Sequence, residues 1–523
     1  MQKVILFFSA LLLIVLAIPQ SLDVSAMPSK GRPGKQVTTL NGTVGMWVLE
    51  ATKTTPVEHR YFLEYEVRGQ VVQTFLHGRV EFADYLHKTI EVSGYVDNYH
   101  QRLSQDKSGN PKQVDYFQDF YVESVKRIIS EPDTVNHLWQ DLINLPPPTV
   151  GPRKLVVLPI TFAGNPLTPF EPDVARGWFF TDQRSVRNWV RDYSFRKADI
   201  VGHINPQNGD VANWIPLNTS SDNCWDNMLP NWLPMADGQA QQQGISVSNY
   251  QTVVYLFREI PGCEFPISAT VGLFGETSGV RRIIAIVPNE TMTSEVRDRV
   301  MFIAYLHELT HNLGQATHDN GQDGTGHIWE YGDRAGILGS VTNPNFGTNV
   351  LRLKLQWYSG TGQCRVVDSQ GSHRVFFQSP AIASKGIGPN SPPFCVIVPL
   401  RDSSGQPTGE IDVWEWRRQT GFWEQFTTDL QDFVRGGLIV RRVGTNFAHQ
   451  HVGTILLNPR PEMVCCKHSV VLPGTTWTVT GGYYSLTAGY HTAQRQSATI
   501  HLGSNYPAIA SEQEIEKQEV RVK

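Results

Sequence analysis

No cysteine stands before Cys224 in this chain of 523 residues, and only six occur in all. Disulfides are thereby excluded from everything N-terminal to that point. Positive charge is not in excess either: Lys and Arg number 45 against 49 Asp and Glu, a formal net charge of −4. A nucleic-acid partner needs a basic surface to neutralise phosphates, so that class of function is excluded. No long apolar run follows Ile18, so no transmembrane helix is expected beyond it. Internal repeats and low-complexity tracts are lacking as well.

The first segment, Met1 to Ala26, carries Lys3, an apolar run from Val4 to Ile18 and the small residues Val24-Ser25-Ala26. It reads as a signal peptide, too short and wrongly flanked to span a membrane. The tail Ser511–Lys523 is charged, which excludes a GPI signal. The expectation is a secreted, extracellular protein with no stable membrane insertion. An even number of cysteines then implies disulfides. The sequons at Asn41, Asn218 and Asn289 agree with that compartment in a eukaryote.

The densest chemistry is His307-Glu308-Leu309-Thr310-His311-Asn312-Leu313-Gly314-Gln315-Ala316-Thr317-His318-Asp319. Histidines four apart on a helix leave it on one face about one turn apart, which suits two corners of a tetrahedral zinc site. Val296, Val300 and Ala304 fall at i, i+4 and i+8 and lead into the same stripe, so a helix is predicted here. Thr293 and Ser294 are N-cap types before it, and Gly314 supplies the backbone freedom that ends it. Beyond that turn His318 can swing back as third ligand, with Asp319 or His327 as substitutes. Thr317 is a poor choice, because a neutral hydroxyl binds zinc weakly. The metal set is therefore His307, His311 and His318 around Zn2+. Glu308 is the catalytic residue, a general base for the water such a metal activates.

His-Glu-Leu-Thr-His-Asn-Leu-Gly followed closely by His resembles the metzincin zinc signature. The surroundings resemble the gametolysin, or autolysin, family of secreted zinc metalloproteases, in Phe180–Val186, Asp192–Phe195, Glu330-Tyr331-Gly332-Asp333 and Asn343-Pro344-Asn345-Phe346. The resemblance runs over about residues 40–445 and is strongest over about 283–358. It departs at two places. The family's third His stands ten residues after the first, at Thr317 here, so one residue has been added before His318. The methionine of the family's Met-turn falls at Leu338 in Gly336-Ile337-Leu338-Gly339, where a Leu of similar size should keep the floor beneath the metal. The resemblance implies an inhibitory propeptide, and extracellular or cell-wall proteins and glycoproteins as substrates. It also suggests a Cys224–Cys263 bridge, and these two cysteines flank the segment preceding the zinc helix. A propeptide without cysteine cannot cap zinc with a thiolate, so latency would need a His, a carboxylate or steric cover. Cys364, Cys395, Cys465 and Cys466 allow three connectivities. Adjacent cysteines pair only in a strained ring, which favours Cys465 and Cys466 each bonding one of the other two.

The expected fold class is α+β: a metzincin-like protease domain between an N-terminal β prodomain and a C-terminal β-sandwich. The expected divisions are a signal peptide (1–26), a β-rich propeptide (27–152), the catalytic domain (153–358), the sandwich (359–510) and a charged tail (511–523). Alternation over Arg60–Val67 and Thr89–Val96 predicts a small barrel-like unit. Pro146-Pro147-Pro148 reads as a stiff connector and Arg153 as an activation cut. Lys154–Phe162, Val253–Phe257 and Arg282–Val287 read as strands and Ser185–Tyr193 as a helix of an α/β upper subdomain. One strand of that sheet should be an exposed edge above the cleft, able to hold an extended peptide. The run from Asp319 to Glu330 only superficially matches a calcium loop. After Leu355, short strands separated by turn residues predict the sandwich, with Trp414 and Trp416 on one face as core or, alternatively, a sugar platform, and Trp423 beyond. The rival function is a catalytically inactive secreted zinc-binding matrix or adhesion protein of the same fold.

Overall fold

The computed structural model describes residues 37–49, 58–67, 70–78, 80–85, 88–105, 111–130, 151–162, 170–219, 221, 231–258, 267–270, 280–287, 294–313, 318–322, 328–329, 331–333, 335–339, 357, 363–378, 392–401, 407–418, 436–443, 454–457, 469–478, 484–491 and 495–503. The signal peptide, the charged tail, Cys224, Cys263, Cys465, Cys466, His327, Trp423, Asn289 and the proline connector lie outside them. The fold is predominantly β with few helices, a β-rich α+β chain. Among the described residues no helix is long and apolar enough to cross a membrane.

Five strands open the chain: β1 (Thr38–Leu49), β2 (Glu58–Val67), β3 (Gln70–Gly78), β4 (Thr89–Gln105) and β5 (Pro111–Ser130). They close in the order β1-β2-β3-β5-β4-β1. Period-2 alternation turns Leu40, Val44, Leu63, Leu76, Ile90, Val92, Phe120 and Val122 into one buried cluster, as the pleat requires. Asn41 is left exposed on β1.

The next strands are β6 (Gly151–Phe162), β7 (Ala198–Val201), β8 (Asp210–Val211), β9 (Ile215–Leu217), β10 (Thr252–Arg258), β11 (Ile267–Thr270) and β12 (Arg281–Val287). β6, β10 and β12 run parallel, and β11 is antiparallel to β12. Parallel strands with both faces covered read as unbroken apolar runs, which is why Leu155–Ile160 has almost no polar residue. Leu155 and Val157 join one buried cluster, Val156, Leu158 and Ile160 the other. The first face is covered by α1 (Pro172–Arg176) and its continuation, α2 (Val186–Tyr193) and α4 (Ser294–Asn312); the second by α3 (Leu233–Gln242). Ser185 caps α2 by accepting a hydrogen bond from the backbone N–H of Asn188 at 3.2 Å.

The barrel and this layer form one twelve-stranded sheet, because Trp47 and Val48 of β1 pair with Thr270 and Ala269 of β11. An exposed edge was expected in this sheet; β11, beyond β12, is flanked on both sides, by β12 and by β1. Phe62 of β2 stands opposite Gly45 of β1 and belongs to the cluster beneath α3. A Cβ at Gly45 would collide with the Phe62 ring, so glycine here lets the ring cross β1. Arg153 is buried in β6 opposite Ile200, so it is not presented to an activating protease, contrary to the expected cut.

The C-terminal strands are β13 (Asn320–Gln322), β14 (Ile328–Trp329), β15 (Cys364–Val366), β16 (Gly371–Gln378), β17 (Cys395–Arg401), β18 (Pro407–Arg417), β19 (Gly437–Val443), β20 (Thr454–Leu456), β21 (Thr476–Thr478), β22 (Tyr484–His491) and β23 (Arg495–Leu502). A seven-stranded sheet β14-β13-β20-β19-β18-β17-β15 packs on a four-stranded sheet β16-β23-β22-β21. Trp414 and Trp416 are fully buried between them, so they are core and not a sugar platform. Trp414 Nε1 donates to Tyr484 Oη (2.9 Å), which donates to Asp412 Oδ2 (2.8 Å). Burial and the Asp412 carboxylate push that phenol well above its ordinary pKa, so it remains a donor. Cys364 and Cys395 lie opposite one another on parallel β15 and β17 and form a disulfide, Cα–Cα 4.7 Å. This overturns the expected pairing of each with Cys465 or Cys466. Ring strain between adjacent cysteines carries no information about register, and it is register that brings these two together.

Phe62→Ala should remove about 3–5 kcal/mol from the unfolding of the whole sheet, read from a urea transition of the full chain. An unshifted transition for the α-helical layer would show that the barrel is only loosely attached.

Candidate metal centre

α4 buries Phe302, Ile303, Tyr305, Leu306 and Leu309 against the sheet, and Leu313 follows in the same cluster. This stripe places His307, Glu308 and His311 on buried helix, at 0–2% exposure. The expected helix is thus present, although the side chains of Val296 and Val300 and all of Gly314–Thr317 lie outside the described residues. His318 returns to the same spot. The ring centroids are 5.0 Å apart for His307–His311, 5.3 Å for His307–His318 and 5.2 Å for His311–His318, close to an equilateral triangle.

One ligand nitrogen from each of the three lies within 4.8 Å of the others. A tetrahedral zinc holds its nitrogens about 3.4 Å apart, given Zn–N bonds of about 2.1 Å, so small ring rotations meet that demand. His307 Nδ1 lies 3.1 Å from the carbonyl of Ile337. A carbonyl only accepts, so Nδ1 carries the proton and Nε2 is left as the ligand atom. The donor set fits a borderline-soft divalent cation.

The carboxylate of Asp319, the alternative to His318, is engaged by protein donors. Its Oδ1 accepts from Thr454 Oγ1 (2.7 Å) and its Oδ2 from the Leu338 N–H (3.3 Å). Of the run that superficially matches a calcium loop, Asn320–Gln322 is strand β13, and residues 323–327 lie outside the described residues. The turn Gly336–Gly339 sits beside the triad, with Ile337 and Leu338 buried in the core cluster that holds α4. Its glycines are required by close approach: a Cβ at Gly339 would strike the Asp333 carbonyl and one at Gly336 the Asp319 carboxylate.

Two further features shape the site. Tyr331 lies with its ring centroid 4.0 Å from that of His318, and stacks at 6.3 Å on His307. Its φ of 57° puts a bulky residue in the left-handed region, at a cost of about 1–3 kcal/mol. The motif Glu330-Tyr331-Gly332-Asp333 was visible, but nothing local says that its Tyr turns onto the ligands. The second feature is a buried chain of charges. Arg441 pairs with both Asp333, through Nε and Nη2 (the latter 3.1 Å), and Glu415; Arg417 Nε donates to Glu415 at 3.1 Å and its Nη2 to the Ala335 carbonyl at 3.2 Å. Alternation along β18 explains it: Trp414 and Trp416 face the sandwich core, so Glu415 and Arg417 face the turn below the triad.

No protein-family model matches the chain, and no curated protein matches it.

Leu338→Met should change stability by less than about 1.5 kcal/mol and Leu338→Ala should cost about 2–5 kcal/mol, measured by chemical unfolding. Metal titration of His318→Ala should show a far larger loss of zinc affinity than His327→Ala. The reverse order would reassign the third ligand.

Proposed function

We propose that the chain is a secreted zinc-dependent endopeptidase, similar to the gametolysin-type metzincins, acting on extracellular or cell-wall proteins and glycoproteins. The observation that carries this reading is the buried triad His307, His311 and His318 with a carboxylate, Glu308, next to the first ligand on the same helix. A structural metal site has no use for a general base there. When bound, zinc supplies a Lewis acid that polarises a carbonyl and acidifies water.

The chain's own groups account for the rest. His307, His311 and His318 serve as neutral imidazoles, with His307 held in one tautomer by Ile337. Glu308 takes a proton from the attacking water as the C–O bond forms, and gives it to the amine nitrogen as the C–N bond breaks. Glu308 is buried on the same helix as His307 and His311. Tyr331 walls one side of the triad.

The pairing of β1 with β11 supports latency in the full chain, since the edge that would hold an extended substrate by main-chain hydrogen bonds carries a strand already. The same pairing, with Phe62 built into the core, favours the rival reading of an inactive zinc-binding matrix or adhesion protein if that strand never leaves.

The two readings separate in one assay. Full-length wild type and Glu308→Ala are compared for zinc by mass spectrometry and for hydrolysis of a generic protein, before and after limited proteolysis between residues 131 and 150. Equal zinc, with hydrolysis lower in Glu308→Ala by about two to four orders of magnitude, supports the protease. Zinc in both and hydrolysis in neither supports the matrix protein.

A further inference from the structure

The third ligand is held from the far half of the chain. The backbone passes from His318 through Asp319 straight into β13, where Asn320 and Gly321 pair in parallel with Ile455 and Leu456 of β20. Every polar atom of Asp319 is engaged. Its N–H donates to the Leu338 carbonyl (3.3 Å), and its own carbonyl accepts from the Asp333 N–H (3.1 Å). Its carboxylate takes the Leu338 N–H on one oxygen and the Thr454 hydroxyl on the other. Asp333 is in turn clamped by Arg441 of β19. Asp319 is 4% exposed and Thr454 1% exposed, so no solvent replaces a lost partner.

We infer that Thr454 of the C-terminal sheet is a positioning residue for the third metal ligand. Its hydroxyl does two things through Asp319. It fixes the backbone from which His318 projects, and it keeps an adjacent carboxylate, itself a competent zinc ligand, from turning to the metal in place of the imidazole. The sandwich is then part of the metal centre and not an appendage to it. This rests on the metal-site half of the proposed function and not on peptide hydrolysis.

The test uses the full-length chain with Thr454→Val, which keeps the shape and removes the hydroxyl, and Thr454→Ser, which keeps the hydroxyl. Zinc affinity is measured by competition with a chromophoric chelator, and the cobalt(II)-loaded proteins are compared by visible absorption. Thr454→Val should bind zinc about 10–100-fold more weakly, with shifted cobalt bands, while Thr454→Ser stays close to wild type. Should the Val variant not fold, Ser against Ala makes the same one-oxygen comparison. Equal affinity and spectra for Val and wild type would overturn the inference, as would Ser failing alongside Val, since packing alone would then explain the loss. Wild type without stoichiometric metal would overturn it together with the metal site; metal without proteolysis would sink only the protease reading.

Discussion

A carboxylate buried beside a metal ligand must be satisfied by protein donors, or it becomes a ligand itself. Much of this structure answers that constraint at Asp319. The turn at Gly336–Gly339 comes close enough to latch its backbone and one carboxylate oxygen, and β20 supplies the hydroxyl for the other. The same turn gives the Ile337 carbonyl that sets the tautomer of His307. One short loop therefore orients two of the three imidazoles. The buried Asp333–Arg441–Glu415–Arg417 chain anchors that loop to the sandwich, and removing any one charge would leave a neighbour uncompensated at low dielectric.

This anchoring changes how the halves of the chain relate. Between His318 and the turn, β13 and β14 belong to the C-terminal sheet, while the sheet under α4 runs on into the N-terminal barrel. Both expected divisions, near 152 and near 358, are crossed by contacts: Phe62 and β1 at the first, β13, Asp319 and Asp333 at the second.

What was legible in the sequence is what short-range periodicity encodes. The spacing of His307 and His311 made helix and shared face readable together, and the apolar run Lys154–Phe162 announced a strand covered on both sides. The sandwich strands β16, β17, β18, β19, β21 and β23 follow the alternation of their residues, whereas the shorter β15 and β20 and the strand β22 carried no signal that set them apart. What failed depended on pairing between distant segments. Trp414 and Trp416 could be assigned a common face but not an inside or an outside until the second sheet was seen to cover them. Cys364 and Cys395 are neighbours only because β15 and β17 pair in that register. An edge strand in this sheet could be anticipated, but neither its identity as β11 nor its pairing with Trp47 and Val48 could. Tyr331 and the buried charges were individually unremarkable in the sequence, and acquire meaning from backbone geometry and burial.

The proposed chemistry depends most directly on three imidazoles meeting at one metal ion. Zinc K-edge X-ray absorption of the purified full-length chain tests this. It predicts a first shell of light atoms at about 2.0–2.1 Å, with the outer scattering of three imidazoles and no sulfur. A shell containing sulfur, one with fewer than three imidazoles, or a chain that holds no zinc would contradict it.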